Sequence, residues 1–503
     1  MAPTISSTTR DAASVRTSVE DLNTTVETAH AAFLLGRRAD LTTRAGWLEV
    51  VAAALEEDAD VLVPLAARET NLGVARLQGE LKRTVFQLRL FAAEVRSGEH
   101  LDATIDHADP GWGMGARPDL RRMNVPLGVV GVFGASNFPF AFSVMGGDSA
   151  SALAAGCSVV YKAHEGHLGL SLRTAETVQR ALREAGAPAG LFTLIAGRAA
   201  AEALIDHPLV KAIGFTGSTA GGRALAERAF ARAEPIPFYG ELGGINAVFV
   251  TEKAWSARKD SILSGYAASL SLGMGQFCTK PGLLFVPGGT TSEVAEALRA
   301  AFTDFEPAPL LTERLHEGYR NAVKEVAGQP GVEQLVEGTF DAAPMPTVLR
   351  AASAAVFEQP ELLRQEMFGP ASLLVEYRDE SELAALAELL EGQLTTTLQA
   401  EADDDVSELA ARLADISGRV LWNGWPTGVT VSFAQHHGGP YPATTSTTTS
   451  VGTAAVGRFM RPVAHQDFPA ARLPDPLQDT NPWSVPQRID GTWTRPQPKV
   501  DAR

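Results

Sequence analysis

Three residues of this sequence stand in settings that suit covalent chemistry. Cys278 lies in a glycine-flanked segment without clear periodicity, where a thiol becomes a nucleophile if nearby donors favour the thiolate. Glu241 stands between glycines at a change from strand to loop and can act as a general base. Asn137 follows a predicted strand and can donate to a developing oxyanion. A buried structural cysteine, a surface acid and an ordinary turn are the alternatives at these three positions.

Neighbouring signals extend this set. Lys280, two residues after the thiol, can help to lower the pKa of Cys278. Cys157 lies in an Ala- and Gly-rich stretch and fits a small buried side chain. Gly217 and Ser218 follow a predicted strand and open a helix, where free N–H groups favour a phosphate. This is not a GxGxxG fingerprint, and the turn at Gly197 keeps a single glycine, so the pattern alone leaves dinucleotide binding open.

The histidines give weaker signals. His164 and His167 lack the helical spacing of a zinc protease, and we predict no metal site. His436 or His437 can serve Cys278 as the base of a thiol hydrolase, although adjacent side chains in a glycine-rich loop are more often polar surface. The sequence contains neither a GxSxG elbow nor a P-loop.

Two α/β regions must position these residues. Helical periodicity extends from about residue 12 to residue 99. Short apolar runs then alternate with Ala-rich helical stretches between residues 127 and 215, which predicts a doubly wound parallel sheet. A second α/β region follows from about residue 246 to residue 423. Beyond residue 438 the sequence is rich in Pro, Thr and Gly, and its aromatic residues favour a tail docked on another surface over a disordered one.

Length and composition narrow the class of protein. The 503 residues suggest two to four domains. With 43 Lys and Arg against 59 acids, the net charge of −16 disfavours nucleic acid and membrane surfaces as partners. Two cysteines are too few for a disulfide framework and are typical of a reducing compartment. We see no signal-peptide pattern and no apolar run long enough for a bilayer, and therefore predict a cytoplasmic protein.

In chain order, these signals resemble the motifs of the aldehyde dehydrogenase superfamily. The resemblance spans most of the chain and rests on six motifs: Ser136-Asn137-Phe138-Pro139, Lys162, Phe215-Thr216-Gly217-Ser218-Thr219, Glu241-Leu242-Gly243-Gly244, Gly275-Gln276-Phe277-Cys278 and Glu366-Met367-Phe368-Gly369-Pro370. It implies an α/β fold with two doubly wound domains and a small β oligomerisation arm. The implied division is an NAD(P)-binding domain over 1–104 and 126–240, a catalytic domain over 241–435, and an arm with a C-terminal tail over 105–125 and 436–503. A homodimer or homotetramer is expected.

The resemblance also implies a role for each motif. Cys278 would attack the aldehyde, Asn137 and the Cys278 backbone N–H would hold the oxyanion, and Glu241 would activate water to release the acid from a thioester. The implied cofactor contacts are Gly217 and Ser218 on the pyrophosphate, Lys162 on the adenosine ribose, Glu366 on the nicotinamide ribose and Phe368 near the nicotinamide ring, with Gly197 at the neighbouring turn.

Cofactor and substrate are predicted from finer features. Lys162-Ala163-His164 and the segment after His437 resemble the α-ketoglutarate semialdehyde dehydrogenase branch, which overlaps the bacterial long-chain aldehyde dehydrogenases. That branch suggests NADP⁺, which His164 can assist, whereas Glu165 suggests NAD⁺ because a carboxylate repels a 2′-phosphate. We predict NADP⁺ with NAD⁺ also used.

For the substrate, α-ketoglutarate semialdehyde competes with a medium-chain, long-chain or aromatic aldehyde. The second option is suggested by an aromatic set, Phe138, Phe140, Phe142 and Phe277, and the threonine run 444–449 offers no cation for a distal carboxylate. A thiol acyltransferase or hydrolase using Cys278, and a relative that has lost catalysis, are the alternative functions.

Overall fold

The computed structural model describes residues 15–289 and 291–495. Its α-helices are α1 Val19–Gly36, α2 Leu41–Glu57, α3 Ala59–Thr70, α4 Val74–Ser97, α5 Gly147–Ala155, α6 Leu168–Glu184, α7 Arg198–Asp206, α8 Thr219–Phe230, α9 Glu252–Ser271, α10 Thr291–Ala301, α11 Glu313–Ala327, α12 Ser353–Glu358, α13 Glu382–Glu388 and α14 Ser407–Ile416. Its strands are β1 Ala103–Asp106, β2 Leu120–Pro126, β3 Val129–Phe133, β4 Ser158–Lys162, β5 Phe192–Ile195, β6 Val210–Thr216, β7 Phe238–Glu241, β8 Ala247–Val250, β9 Leu283–Pro287, β10 Val332–Val336, β11 Thr347–Ala352, β12 Ala371–Tyr377, β13 Gln393–Gln399, β14 Ser417–Trp422, β15 Met460–Gln466, β16 Gln487–Ile489 and β17 Thr492–Thr494.

The first α/β layer is a five-stranded parallel sheet in the order β5-β4-β3-β6-β7. Side chains alternate between its faces, so Val129 packs with α1 and α7 while Val130 packs with α2, α4 and α6. Every residue of α5 is buried, and its small side chains let this helix lie close to its neighbours. Helices therefore cover both faces, as a buried parallel sheet requires.

The second layer is a seven-stranded sheet in the order β10-β11-β12-β9-β8-β13-β14. Only β10 pairs antiparallel among these strands, and it lies at one edge. Separate apolar clusters fill the two faces: Phe249 and Phe285 stack on one side, and Val248 and Leu284 pack against α9 and α10 on the other. This is the second predicted α/β region.

A third, smaller sheet joins distant parts of the chain in the order β15-β2-β1-β16-β17. Strands β1 and β2 pair antiparallel, β15 adds to the free side of β2, and β16 runs parallel to β1. The docked interpretation of the C-terminal region is therefore correct for residues 460–494, and Trp483 packs against the core. Residues 496–503 lie outside the described part of the chain.

The predicted fold class is confirmed as two doubly wound α/β layers. The boundaries between domains stay a prediction, and so does the oligomerising role of the small sheet. Over residues 15–289 and 291–495, no helix combines the length and apolarity needed to cross a membrane.

Candidate active site

Five of the predicted site residues lie at one edge of the first sheet. Parallel strands place their carboxyl ends on the same side, where open α/β sheets bind their ligands. The residues that end or follow a strand there are Asn137 after β3, Lys162 on β4, Gly197 after β5, Ser218 after β6 and Glu241 on β7. The fold thus brings motifs that are up to about a hundred residues apart in sequence to the same edge of the first sheet.

The loop that carries Cys278 is fixed from several sides. Gly275 has a φ of +64°, and a Cβ there would lie 2.2 Å from the Gly369 carbonyl oxygen, so only glycine fits. The fully buried Asn246 donates through Nδ2 to the carbonyl of Cys278 at 2.7 Å and to that of Lys280 at 3.1 Å. Asn246 was not among the predicted residues, because its role depends on a contact 32 residues away.

Lys280 does not assist the thiol as the sequence suggests. Its Nζ donates to the Met367 carbonyl at 2.8 Å and to the Ala371 carbonyl, and its nearest charged partner is Glu366. Burial lowers the pKa of Lys280 to about 8, against the attraction of Glu366. The ammonium group therefore ties the cysteine loop to the segment that precedes β12.

Asn137 reaches the cysteine loop from the first sheet. Its Nδ2 donates to the Gln276 carbonyl at 3.0 Å, and Arg76 Nη2 donates to the Asn137 carbonyl at 2.7 Å. A side-chain amide carries two N–H groups, so a second one is left for an oxyanion. Buried Glu80 accepts from the backbone N–H groups of Phe140 and Ala141 at 2.8 and 2.9 Å and so anchors the same loop to α4.

Glu241 is buried and held by two side chains from late in the sequence. His437 Nε2 lies 2.8 Å from Oε1, and Ser450 Oγ donates to Oε2 at 2.9 Å. Burial opposes ionisation of this carboxyl, but His437 and the Ser450 hydroxyl outweigh it and bring the pKa of Glu241 below its ordinary value. Glu241 is thus an ionised base in the protein interior.

The thiol of Cys278 lies against these groups. Its Sγ is 3.7 Å from His437 Nε2, and the donor atoms of Cys278, His437 and Glu241 all lie within 4.8 Å of one another. Burial, followed by the neighbouring carboxylate of Glu241, raises the pKa of the Cys278 thiol well above its ordinary value. At neutral pH the sulfur therefore rests as a thiol.

The other cysteine, Cys157, lies in the core as predicted. Burial raises the pKa of Cys157 to about 11.

The segment with His437 reaches the site by pairing with β7. Leu242 N donates to the Ala443 carbonyl at 2.8 Å and Thr445 N to the Gly240 carbonyl at 3.0 Å. The threonine run therefore lies along β7 and carries His437 and Ser450 to Glu241. The expectation that both adjacent histidines are surface residues is wrong for His437, which is 1% exposed.

Glu366 joins the site from the second layer. Its carboxylate oxygens lie 3.2 and 3.3 Å from the point that a Cβ would occupy if Gly243 carried a side chain. Gly243 has a φ of +102°. Burial raises the pKa of Glu366 to about 7, against the attraction of Lys280. Phe368, two residues later, is partly buried. The cysteine loop and the Glu366 segment both precede strands of the second sheet, so the site lies between the two layers.

The residues at this edge suit a dinucleotide. Ser218 caps α8 by accepting from Gly221 N at 3.3 Å, so the first N–H groups of the helix are free to face a phosphate. Lys162 adds a cation and Glu366 an acceptor for ribose hydroxyl groups. The donors and acceptors present therefore fit NAD(P)⁺, although each contact predicted for it stays a prediction.

His164 cannot supply the positive charge that the sequence suggests. Burial, with the neighbouring His167 and Lys162, lowers the pKa of His164 to about 3, so the ring is neutral. Its Nδ1 accepts from Gly166 N at 3.0 Å. Glu165 is exposed, and Lys162 interacts electrostatically with both Glu165 and Arg16. Lys162, Arg16 and Arg314 are thus cations at this end of the site.

Three of the four aromatic residues predicted to line a channel lie together. Phe138 packs edge to face on Phe142 and Phe277, with ring centroids 5.4 and 5.1 Å apart, and Phe142 lies 5.9 Å from the His437 ring. Phe140 instead points into the core of the first layer and is 3% exposed. The apolar wall beside the thiol is therefore smaller than the sequence suggests.

Comparison with known proteins agrees with this geometry. A family model described as "Aldehyde dehydrogenase family" matches residues 5–440. The chain is 47% identical to alpha-ketoglutaric semialdehyde dehydrogenase 2 of Azospirillum brasilense over 94% of this chain and 91% of that protein. It is 39% identical to alpha-ketoglutaric semialdehyde dehydrogenase of Acinetobacter baylyi over 95% and 92%. A crystal structure of a putative aldehyde dehydrogenase from Burkholderia cenocepacia superposes with a TM-score of 0.74 at 23% identity, covering 89% of each chain, which shows a shared fold.

Proposed function

The chain belongs to the aldehyde dehydrogenase family, which oxidises aldehydes with NAD(P)⁺, and from that premise we propose that Cys278, Asn137 and Glu241 convert a carboxylate-bearing semialdehyde to its acid. The observation that carries this proposal is the convergence of a thiol, a free amide N–H and an ionised buried carboxylate between the two layers. The substrate we favour is α-ketoglutarate semialdehyde, after the two relatives that span nearly the whole chain.

The residues act in a fixed order. Cys278 Sγ forms a bond to the aldehyde carbon, and the oxyanion that results receives the second N–H of Asn137 and the backbone N–H of Cys278. NAD(P)⁺, when bound, would supply the hydride acceptor for that carbon, so that Cys278 would carry the oxidised group as a thioester. Glu241 then accepts a proton from the water that attacks the thioester. Each oxyanion donor contributes about 3 kcal/mol to a step of this kind.

For the cofactor we propose NADP⁺, with NAD⁺ also used. Lys162 and Arg16 interact electrostatically at the edge where an adenosine ribose would lie, and two cations favour a 2′-phosphate. Glu165 opposes this preference, but it is exposed and can turn towards solvent. We expect Lys162 to hold the ribose, Gly217 and Ser218 the pyrophosphate, and Glu366 the nicotinamide ribose beside Phe368, with Gly197 at the adjoining turn.

Two arginines support an anionic substrate. Arg83 and Arg419 both interact electrostatically with Cys278, and both donate to the loop 426–429, Arg83 through Nε to Val429 at 3.2 Å and Arg419 through Nη1 to Gly428 at 3.1 Å. Glu80 and Glu241 also interact electrostatically with Arg83, but among the described residues neither Nη1 nor Nη2 of Arg83 has a hydrogen-bond partner. The two arginines thus supply a positive potential for a distal carboxylate of the substrate, which the threonine run cannot supply.

We also propose a homo-oligomer and a cytoplasmic location. The turn between β1 and β2 presents Trp112 and Met114, 49% and 92% exposed, and the edge strand β14 presents Val420 and Trp422, 42% and 52% exposed. We expect the apolar tip of this arm in one copy of the chain to pack against the uncovered sheet edge of a second copy. The two cysteines are free thiols, which is usual in a reducing compartment.

A steady-state assay tests this function. The purified protein is mixed with α-ketoglutarate semialdehyde, an uncharged aldehyde of similar length, and each nucleotide in turn, and the absorbance of the reduced cofactor is followed. We expect the largest kcat/KM for the semialdehyde with NADP⁺. A clear preference for NAD⁺ or for the uncharged aldehyde contradicts that part of the proposal.

The hydrolase alternative gains one observation, the contact between Cys278 and His437. It predicts ester or thioester cleavage in the absence of any nucleotide, with no aldehyde oxidation. Turnover of a thioester without cofactor, at a rate that exceeds aldehyde oxidation with cofactor, would favour it over the function proposed here.

A further inference from the structure

The ring of His437 lies between two side chains of the proposed mechanism. One nitrogen, Nε2, lies 2.8 Å from Glu241 Oε1 and 3.7 Å from Cys278 Sγ. Hydrogen bonds hold the His437 backbone, since His437 N donates to Thr449 Oγ1 at 2.8 Å and the His437 carbonyl accepts from Ser450 N at 2.9 Å. With the backbone held, a small rotation of the ring about its side-chain bonds is enough to redirect an Nε2–H from the carboxylate to the sulfur.

The second ring nitrogen indicates where the proton lies. Nδ1 of His437 is buried and has no hydrogen-bond partner among residues 15–289 and 291–495. A buried N–H without an acceptor is rarer in proteins than a lone pair without a donor. We therefore assign the proton to Nε2, from which the N–H donates a hydrogen bond to Glu241 Oε1.

The thiol needs help to ionise, because burial and the carboxylate of Glu241 both oppose a thiolate. Lys280 is committed to two carbonyl oxygens and to Glu366. Of the described side chains within hydrogen-bonding range of Cys278 Sγ, His437 is the one with a polar hydrogen that can be directed at it. A donor that switches from the carboxylate to the sulfur would solve this difficulty.

We propose that His437 is a catalytic residue whose Nε2–H moves from the Glu241 carboxylate to the Cys278 sulfur as the thiol passes its proton to that carboxylate. In this step the S–H bond breaks, the proton goes to Glu241, and the sulfur keeps the electron pair. That pair then forms the C–S bond to the aldehyde carbon, and the carbonyl π electrons move to oxygen. Glu241 gives its proton to solvent before it accepts one from water. The step deepens the function proposed above, but the ionisation itself needs neither aldehyde nor cofactor.

Other charged groups near Cys278, Glu241 and His437 influence how readily the thiol ionises. Glu241 accepts a hydrogen bond from the Nε2–H, and the guanidinium groups of Arg83 and Arg419 add positive charge that favours a thiolate at Cys278. His437 interacts with Glu241 from β7 and with His436 from its own segment. Cys278 interacts with Glu241, with Glu366 from the second layer, with Arg83 from α4 and with Arg419 from β14. Lys280 and Glu80 lie one step further away, paired with Glu366 and Arg83 respectively.

Alkylation of the thiol tests the proposal without turnover. Iodoacetamide is added to the enzyme without aldehyde or nucleotide, between pH 6 and 10 and with EDTA present, and the rate of modification at Cys278 is read by peptide mass. Cys157, fully buried, serves as the unreactive internal reference. Three variants are compared with the wild type: His437→Leu, which removes the donor, His437→Gln, which keeps an N–H near the position of Nε2, and His436→Leu as the neighbouring control.

We expect His437→Leu to slow alkylation at pH 7 about tenfold and to raise the apparent pKa of alkylation by about one unit. His437→Gln should stay within about threefold of the wild type, and His436→Leu should be unchanged. Two results overturn the proposal: equal rates in all four proteins, or an equal loss in His437→Leu and His437→Gln, which would make the ring a base instead of a donor. Since no aldehyde is oxidised, an enzyme inactive on every aldehyde still gives a clear answer.

Discussion

Glu241 has the most demanding position of any single residue in this site. It is buried, and its two oxygens accept from His437 and Ser450. In the reaction proposed above it must also receive protons. Replacing it by Gln keeps the volume but removes the proton acceptor. We expect Glu241→Gln to lower kcat by about 100-fold or more at saturating substrate, measured by absorbance of the reduced cofactor, while Glu227→Gln on the exposed face of α8 leaves kcat unchanged.

Ser450 allows a graded test of the same carboxylate. Its hydroxyl lowers the pKa of Glu241, so Ser450→Ala should raise that pKa and leave the base protonated over a wider acidic range. The acidic limb of the kcat profile should therefore move to higher pH, with activity at alkaline pH largely kept. An acidic limb that does not move would show that Glu241 does not set it.

Arg83 is the residue at which substrate charge can be tested. Its guanidinium lies 5.4 Å from the Phe142 ring centroid, and neither Nη1 nor Nη2 has a hydrogen-bond partner in the described part of the chain. Arg83→Met keeps much of the apolar stem and removes the charge. We expect KM for α-ketoglutarate semialdehyde to rise about tenfold, whereas KM for an uncharged aldehyde changes little. Arg89→Met, on the exposed part of the same helix, is the control, and equal KM changes for both aldehydes would rule out a carboxylate contact.

At this scale the sequence predicted the candidate residues that stand in short motifs of their own. Cys278, Glu241 and Asn137 stand beside glycines or a proline that mark their loops, and the structure brings all three together. His437 was considered as a base, yet its burial depends on 443–445 pairing with a strand 200 positions earlier. Lys280 was misread because sequence proximity to the thiol says nothing about the direction of its side chain.

At the scale of elements, the pairing of the threonine run with β7 decides where the late residues lie. Thr445 Oγ1 accepts from Gly240 N at 2.8 Å and donates to the Phe238 carbonyl at 2.6 Å. Thr445→Val keeps the shape and leaves both backbone groups without this partner. We expect the free energy of unfolding in urea to fall by about 1–3 kcal/mol, and kcat to fall because Glu241 is held less firmly.

Thr447→Val gives the matched control for this prediction. Thr447 belongs to the same run but is exposed, so its replacement should change the free energy of unfolding by less than about 0.5 kcal/mol. If both variants unfold alike, the pairing with β7 contributes nothing specific.

The elements themselves were easier to predict than their partners. Alternating apolar runs and helical stretches indicated both parallel sheets, because a strand buried on both faces reads as a continuous apolar run. The small sheet was only partly foreseen: β1 and β2 are near in sequence, but β15 and β16 join them from more than 330 residues away. No local pattern encodes a pairing of that range, so it becomes visible only in the structure.

For the whole molecule, the exposed edge of the second sheet leads to a prediction about assembly. Strand β14 pairs on one side with β13 and presents Trp422, 52% exposed, beside its free edge. An open edge with a large apolar side chain is a site where another chain adds, and natural sheets usually protect such edges with charges. The arm tip with Met114 is the matching apolar surface of a second copy. The wild type should therefore be a dimer or tetramer by light scattering coupled to size-exclusion chromatography.

Trp422→Glu places a charge at that edge and should shift the protein to smaller species at micromolar concentration, because an unpaired carboxylate is costly to bury in an interface. Phe230→Glu, which adds the same charge at an exposed apolar residue of α8, should leave the assembly unchanged. Thermal unfolding of both variants separates loss of assembly from loss of folding. A wild-type protein that elutes as a monomer contradicts the predicted assembly and leaves the exposed tip of the arm without a partner. A Trp422→Glu protein that assembles to the same mass as the wild type places the interface elsewhere.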